Sequence, residues 1–231
     1  MAVPSSGPSS GSPPPAVPLL VIGNRNYSSW SLRPGLALSM TGTPFDTVRI
    51  PLYQPGSTAR IREYSAAGKV PVLVDAELVV WDSLAICEYL AERFPSAGLW
   101  PADRRARAEA RSASNEMHSG FAALRRELPM NIRLDRDGHR WSPEAQADID
   151  RVLQLWSGLR SRHGGGGPFL CGAFSIADAM YAPVVLRLRS YRAPVPDGIA
   201  RYMQSVVDLP PMQAWIAAAH AEPERLEQFE R

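Results

Sequence analysis

The sequence predicts an α/β domain followed by an all-helical domain, on three observations. An apolar run, Leu19-Leu20-Val21-Ile22-Gly23, leads through a polar loop into Leu32, Leu36 and Met40 at helical spacing. From there to Arg93 the patterns alternate in the order β-α-β-α-β-β-α. Beyond Pro101 the strand signal disappears. The boundaries are 19–97 for the first domain and 102–231 for the second. Residues 1–18 are a Pro/Ser/Gly-rich tail with no charged side chain, expected to be disordered and lacking the basic start of a signal peptide.

The loop after the first strand is Asn24-Arg25-Asn26-Tyr27-Ser28-Ser29-Trp30-Ser31. It sits where the free N–H groups of a helix start point outward with the positive end of the dipole behind them. An anion there is stabilised, and a hydroxyl donating to a thiolate lowers that thiol's pKa. Pro44 to Ile50 alternates and predicts the second strand. Thr58 to Ala67 reads as a short or irregular helix, and Gly68 to Asp75 as a strand. Pro cannot donate to a ladder, so Pro71 belongs at that strand's entry, where a cis peptide is plausible. Asp75-Ala76-Glu77 turns the chain, Leu78 to Trp81 returns, and Asp82-Ser83 caps a helix over Leu84 to Arg93 that Pro95 ends.

In the second half, Arg104 to Leu128 reads as one long helix. Ser142-Pro143 opens another that runs to about Arg162. The run Gly164 to Gly167 has no following Lys-Ser/Thr and so is a loop rather than a phosphate cradle. Ser175-Ile176-Ala177-Asp178 is a capping box opening an apolar helix over Ala179 to Leu188. Two short helices, near Ile199 to Val207 and Met212 to Ala221, follow.

Composition narrows the function. With 45% hydrophobic and 21% charged residues in 231, the chain is ordinary for a soluble protein, and a formal charge of +2 is too small to argue for nucleic acid or an anionic membrane. No apolar run is long enough to span a bilayer. Cys87 and Cys171 are far apart and neither belongs to a Cys-x-x-Cys, so a disulfide framework, a zinc site and a dithiol redox pair are all unsupported. Cytoplasm is the expected location.

From Leu19 to Glu222 the chain resembles the glutathione S-transferase superfamily. The likeness rests on Ser28-Ser29-Trp30-Ser31-Leu32-Arg33, Val70-Pro71, Asp82-Ser83 and Ser175-x-x-Asp178, standing in order at family-like spacing. It implies a thioredoxin-like N-terminal domain and glutathione as co-substrate, with no metal. Val70, before a cis Pro71, would pair its backbone with the cysteinyl part of glutathione, and Asp82-Ser83 would hold the γ-glutamyl carboxylate by the anion logic of helix ends. Gln54 and Lys69 lie where groups for the glycyl carboxylate often stand, and Arg33 either faces the site or solvates its helix.

The first loop is similar to the zeta-like pattern Ser-Ser-Cys-Ser-Trp-Arg. That match makes Ser28 the thiol activator, with Ser29 beside it and Tyr27 a third candidate. Trp30 stands where that pattern has Cys, so the protein lacks a thiol nucleophile there. Trp30, Met117, His118 and Phe121 are candidates for the second-substrate pocket, His118 also for acid/base work. Arg125, Arg126 and Arg133 are candidates for an acidic second substrate. The implied activity is glutathione transfer to a small electrophile, by a homodimer. The alternatives are glutathione-dependent cis-trans isomerisation of a maleyl-type diacid, and a non-catalytic binding protein on the same scaffold.

Overall fold

The computed structural model describes residues 17–230. The tail expected over 1–18 therefore lies outside the described residues, apart from Val17 and Pro18. The first domain holds a four-stranded sheet in the order β2-β1-β3-β4. Its strands are β1 (Leu19–Ile22), β2 (Asp46–Arg49), β3 (Val72–Asp75) and β4 (Leu78–Val80). β2 runs parallel to β1, while β3 is antiparallel to both β1 and β4. Side chains alternate across the pleat and sort the apolar residues onto two faces. Leu20, Ile22 and Leu73 point to α1 (Ser29–Ser39) and α3 (Ser83–Arg93), and Val21 and Val72 to Ile61 of α2 (Ser57–Arg62).

The second domain consists of α4 (Arg104–Ser119), α5 (Ala122–Glu127), α6 (Pro143–His163), α7 (Ile176–Ser190), α8 (Asp197–Val207) and α9 (Pro210–His220). α7 is buried almost all round and packs on both α1 and α4, which joins the two domains through one core. Its capping box forms as predicted. The Asp178 carboxylate accepts from the N–H groups of Leu170 at 3.0 Å and Ser175 at 2.8 Å, and from the Ser175 hydroxyl at 3.1 Å.

Two expectations need correction. Arg104 to Leu128 is two helices, because Gly120 is extended and Phe121 takes the left-handed region at φ 60°. A Cβ on Gly120 would sit 2.8 Å from the Glu116 carbonyl oxygen, so only glycine fits that break. Arg125 donates back to the carbonyls of Met117 and His118 at the end of α4. The glycine run is also structured in part, Gly164–Gly166 forming a 3-10 turn that continues α6.

Glu109 ties α4 to α6. It accepts from Arg162 at 2.7 Å, His163 at 3.0 Å and Arg105 at 3.1 Å, and these donors, Arg162 foremost, hold its carboxyl down at about 2. A carboxyl whose pKa is lowered by folding contributes stability above its ordinary pKa of 4.5 and loses that contribution as the pH falls toward 2. Glu109→Gln is expected to cost about 1 kcal/mol at neutral pH, partial exposure having screened the pairs, and nothing near pH 2. Thermal unfolding across that range checks it, and a deficit that persists in acid would sink the assignment.

Candidate active site

Two cavities meet at Trp30. The first, about 360 Å³, is lined by Trp30, Ala67, Lys69, Val70, Pro71, Trp81, Asp82, Ser83 and His118. The Val70–Pro71 peptide is cis. Asp82 caps α3, one carboxylate oxygen accepting from the N–H groups of Leu84 at 2.9 Å and Ala85 at 3.2 Å, while the other lies 3.1 Å from Nε2 of His118. The Ser83 hydroxyl and His118 Nδ1 are buried without a partner. An unsatisfied buried hydroxyl at the positive end of a helix is suited to an incoming carboxylate.

The second cavity, about 220 Å³, is walled by Tyr27, Ser28, Ser29, Trp30, Leu52, Tyr53, Arg125, Pro129, Met130, Arg187 and Phe229. Ser28 is the N-cap of α1. Its Oγ accepts from the Ser31 N–H at 3.3 Å and lies 2.8 Å from the Ser31 hydroxyl, whose oxygen accepts from the Gly23 N–H at 3.1 Å. When Ser31 donates to Ser28, the Ser28 proton is left free for the cavity. Ser29 accepts from Arg187 Nη2 at 3.3 Å.

Three arginines surround this corner. Arg33 is 1% exposed between α1 and α7; its Nε donates to the Met180 carbonyl at 3.2 Å, its Nη1 has no partner, and its guanidinium carbon stands 4.5 Å from the Trp30 ring centre. Arg125 stands 4.8 Å from the same centre. Arg187 donates to the carbonyls of Arg125 and Leu128. Burial first, and then the neighbouring arginines, push Arg33 and Arg187 down to about 9, so both remain cationic at neutral pH. Burial also pushes the Cys87 and Cys171 thiols up to about 12, which makes both poor nucleophiles.

A C-terminal strap borders the second cavity through Phe229. Arg133 donates to the carbonyls of Glu222 and Glu224, each at 2.6 Å, and to the Tyr27 hydroxyl at 2.8 Å. The Glu222 carboxylate accepts from the N–H groups of Arg25 at 2.7 Å and Asn26 at 3.2 Å, and Glu224 pairs with Arg49 at 2.8 Å. Tyr27 donates to Glu230, and Phe229 packs on Tyr27 and Tyr53 with ring centres 5.6 and 5.7 Å apart.

The structure thus gathers Lys69, Val70, Pro71, Asp82, Ser83, His118 and Trp30 around one cavity, and Ser28, Ser29, Tyr27 and Arg125 with Trp30 around the other. Gln54 lies exposed on the loop before α2 and lines neither. Met117 and Phe121 are core residues rather than pocket walls: Met117 sits about 100° around α4 from His118, which turns it inward. Arg33 lies behind Trp30, not on either wall. Arg126 pairs with Glu127 at 2.9 Å on the surface, and Arg133 is committed to the strap. Arg187 and Phe229 went unread in the sequence; the signal for Arg187 was a lone charge inside the apolar run Ala179 to Leu188.

Family profiles match both halves of the chain: the glutathione S-transferase N-terminal domain over residues 27–93 and the glutathione S-transferase C-terminal domain over 104–218. The chain belongs to the glutathione S-transferase family. Within that family it is similar to a zeta-class glutathione S-transferase of Euphorbia esula, at 32% identity over 72% of each chain. It is also similar to a probable maleylacetoacetate isomerase of Caenorhabditis elegans, at 28% identity over 84% of this chain and 89% of that one. A solved glutathione transferase homologue from Burkholderia, with bound glutathione, superposes with a TM-score of 0.68 at 25% identity, over 90% of this chain and all of that one.

Proposed function

We propose that the protein binds glutathione in the first cavity and activates its thiol at the N-terminus of α1 for attack on a small electrophile held in the second. The observation that carries this reading is the unpartnered Ser83 hydroxyl at the start of α3, beside Val70 in the cavity that reaches Trp30. The γ-glutamyl carboxylate takes the Ser83 hydroxyl and the Ser83 N–H at the start of α3, Lys69 supplies a cation for the glycyl carboxylate, and the cysteinyl backbone runs along Val70. The sulfur then lies against the Trp30 wall, where the Ser28 hydroxyl and the dipole of α1 favour its thiolate. Attack forms a carbon–sulfur bond while the electrophile either expels a leaving group with its electron pair or, at an activated double bond, passes the π pair to the neighbouring carbon, which takes a proton from solvent. The proton released on ionisation of the thiol goes to solvent.

Glutathione-dependent cis-trans isomerisation, by reversible addition of the same thiolate to a double bond, needs no further group on the sulfur side, and the worm relative is described as a probable maleylacetoacetate isomerase. Trp30 leaves both reactions without a protein thiol. Cytoplasmic location and a homodimeric assembly belong to this reading. Among the described residues no helix is long and apolar enough to cross a membrane.

Calorimetry with glutathione tests the proposal. Parent protein is expected to bind, and Ser83→Ala to bind about tenfold more weakly, the loss of one charge-assisted hydrogen bond. Absence of binding by the parent would overturn the reading.

A further inference from the structure

We propose that a third cavity, separate from the two at Trp30, is a binding site for a small neutral phenol, its ring packed on Trp100 and Phe174 and its hydroxyl donating to His163. The cavity holds about 440 Å³ and lies between the linker over residues 98–103, the end of α6 and the turn that precedes α7. It shares no lining residue with either cavity at Trp30. Its apolar walls are already fixed. Trp100 Nε1 donates to Glu88 at 2.9 Å, and Phe174 meets Phe169 edge to face with ring centres 5.7 Å apart. Phe169 and Gly172 exchange backbone hydrogen bonds at 3.1 and 3.2 Å, and the Leu99 carbonyl accepts from the Ile176 N–H at 2.8 Å, which ties the linker to α7. A ligand therefore meets surface that needs no rearrangement.

To a polar group the cavity offers acceptors. The His163 side chain, 11% exposed, places Nε2 3.0 Å from the Glu109 carboxylate, which is ionised at neutral pH, so in the neutral ring Nε2 carries the proton. The lone pair is then on Nδ1, which has no hydrogen-bond partner among the described residues and is not sealed in the core. Among the described residues no Lys or Arg side chain lines the cavity. Cys171, its thiol pushed up to about 12 by burial, stays protonated and belongs to the apolar wall. Asp103 stands at the N-terminus of α4 with one oxygen on the Ala106 N–H at 2.7 Å. Its charge repels an anion, and the positive end of the helix disfavours an ammonium. A plain hydrocarbon would cover the Nδ1 lone pair without satisfying it. An aromatic ring with one neutral donor meets every condition.

The probes are 4-ethylphenol and its O-methyl ether, which keeps the ring and lacks the donor. Calorimetry on the full chain is expected to show the phenol binding about fivefold more tightly, the net value of one hydrogen bond. His163→Phe, which keeps a ring and removes the acceptor, is expected to bring the two within about twofold. Ala102→Trp, at an exposed position on the cavity wall, is expected to abolish binding of both. Absence of phenol binding, equal affinities in the parent, or a ratio that survives in His163→Phe would overturn the site. So would displacement of the phenol by glutathione, which would move it to Trp30. Should His163→Phe not fold, the parent ratio and Ala102→Trp still decide the matter.

Discussion

Asp178→Ala is expected to lower stability by about 3 kcal/mol or more, the largest single loss among these substitutions. Its carboxylate is fully buried and accepts from Leu170 N–H, Ser175 N–H and the Ser175 hydroxyl. Truncation strands two buried backbone donors and opens a void at the start of the helix that holds the domains together. Asp178→Asn keeps one acceptor oxygen and should lose roughly half as much. Burial raises this carboxyl from 3.8 to about 6 despite its hydrogen bonds. A carboxyl raised in the folded state makes its full contribution below 3.8 and loses it as the pH climbs through 6. The gap between parent and Asp178→Asn is therefore expected to narrow over that interval. Denaturant titrations at several pH values check both statements, and a loss under about 1 kcal/mol for Asp178→Ala would show that the box is not a stability determinant.

Ser28→Ala should still bind glutathione, but the thiol it binds should titrate close to that of free glutathione, and kcat/KM should fall by about a hundredfold. The proposed reason is the hydroxyl chain from Gly23 N–H through Ser31 to Ser28: when Ser31 donates to Ser28, the Ser28 proton is free to reach the thiolate. Ser31→Ala removes the orienting partner without the donor, so its effect on the thiol should have the same sign and smaller size. The substitution at Ser28 also removes the cap of α1, worth about 1 kcal/mol, and that stability change must be measured separately. Thiolate absorbance against pH is the direct readout. An unchanged bound-thiol pKa in Ser28→Ala would transfer the role to Ser29.

Most of the fold was legible because it rests on local signals. Alternation predicted β2, the turn Asp75-Ala76-Glu77 predicted β4 as its returning strand, the cap residues Asp82 and Ser142 marked helix starts, and Pro71 fell at a strand's entry. Where sequence reasoning failed, the deciding force was tertiary. The break at Gly120 is invisible to helical periodicity, since Met117, Phe121 and Leu124 keep their spacing across it. Met117 and Phe121 are pocket candidates only on the resemblance, which turns their helix toward the cleft; Met117 is buried by its angle around α4, and Phe121 by the left-handed break between α4 and α5. The first cavity is built from short motifs at the ends of elements, so Lys69, Val70, Pro71, Asp82 and Ser83 could be grouped from the sequence, whereas Gln54 falls outside it. The second cavity comes from α1, α5, α7 and the strap, segments up to about two hundred residues apart, and only folding brings Arg187 and Phe229 to Ser29.

Trp30 is a wall of both cavities, held by His118 at its edge and two guanidinium groups near its ring. Whatever occupies one side acts on a surface that belongs equally to the other. On the proposed reading, with glutathione on one side and the electrophile on the other, any factor by which bound glutathione tightens its partner is the factor by which that partner tightens glutathione. The shared indole, 38% exposed, is where the proposal puts that exchange.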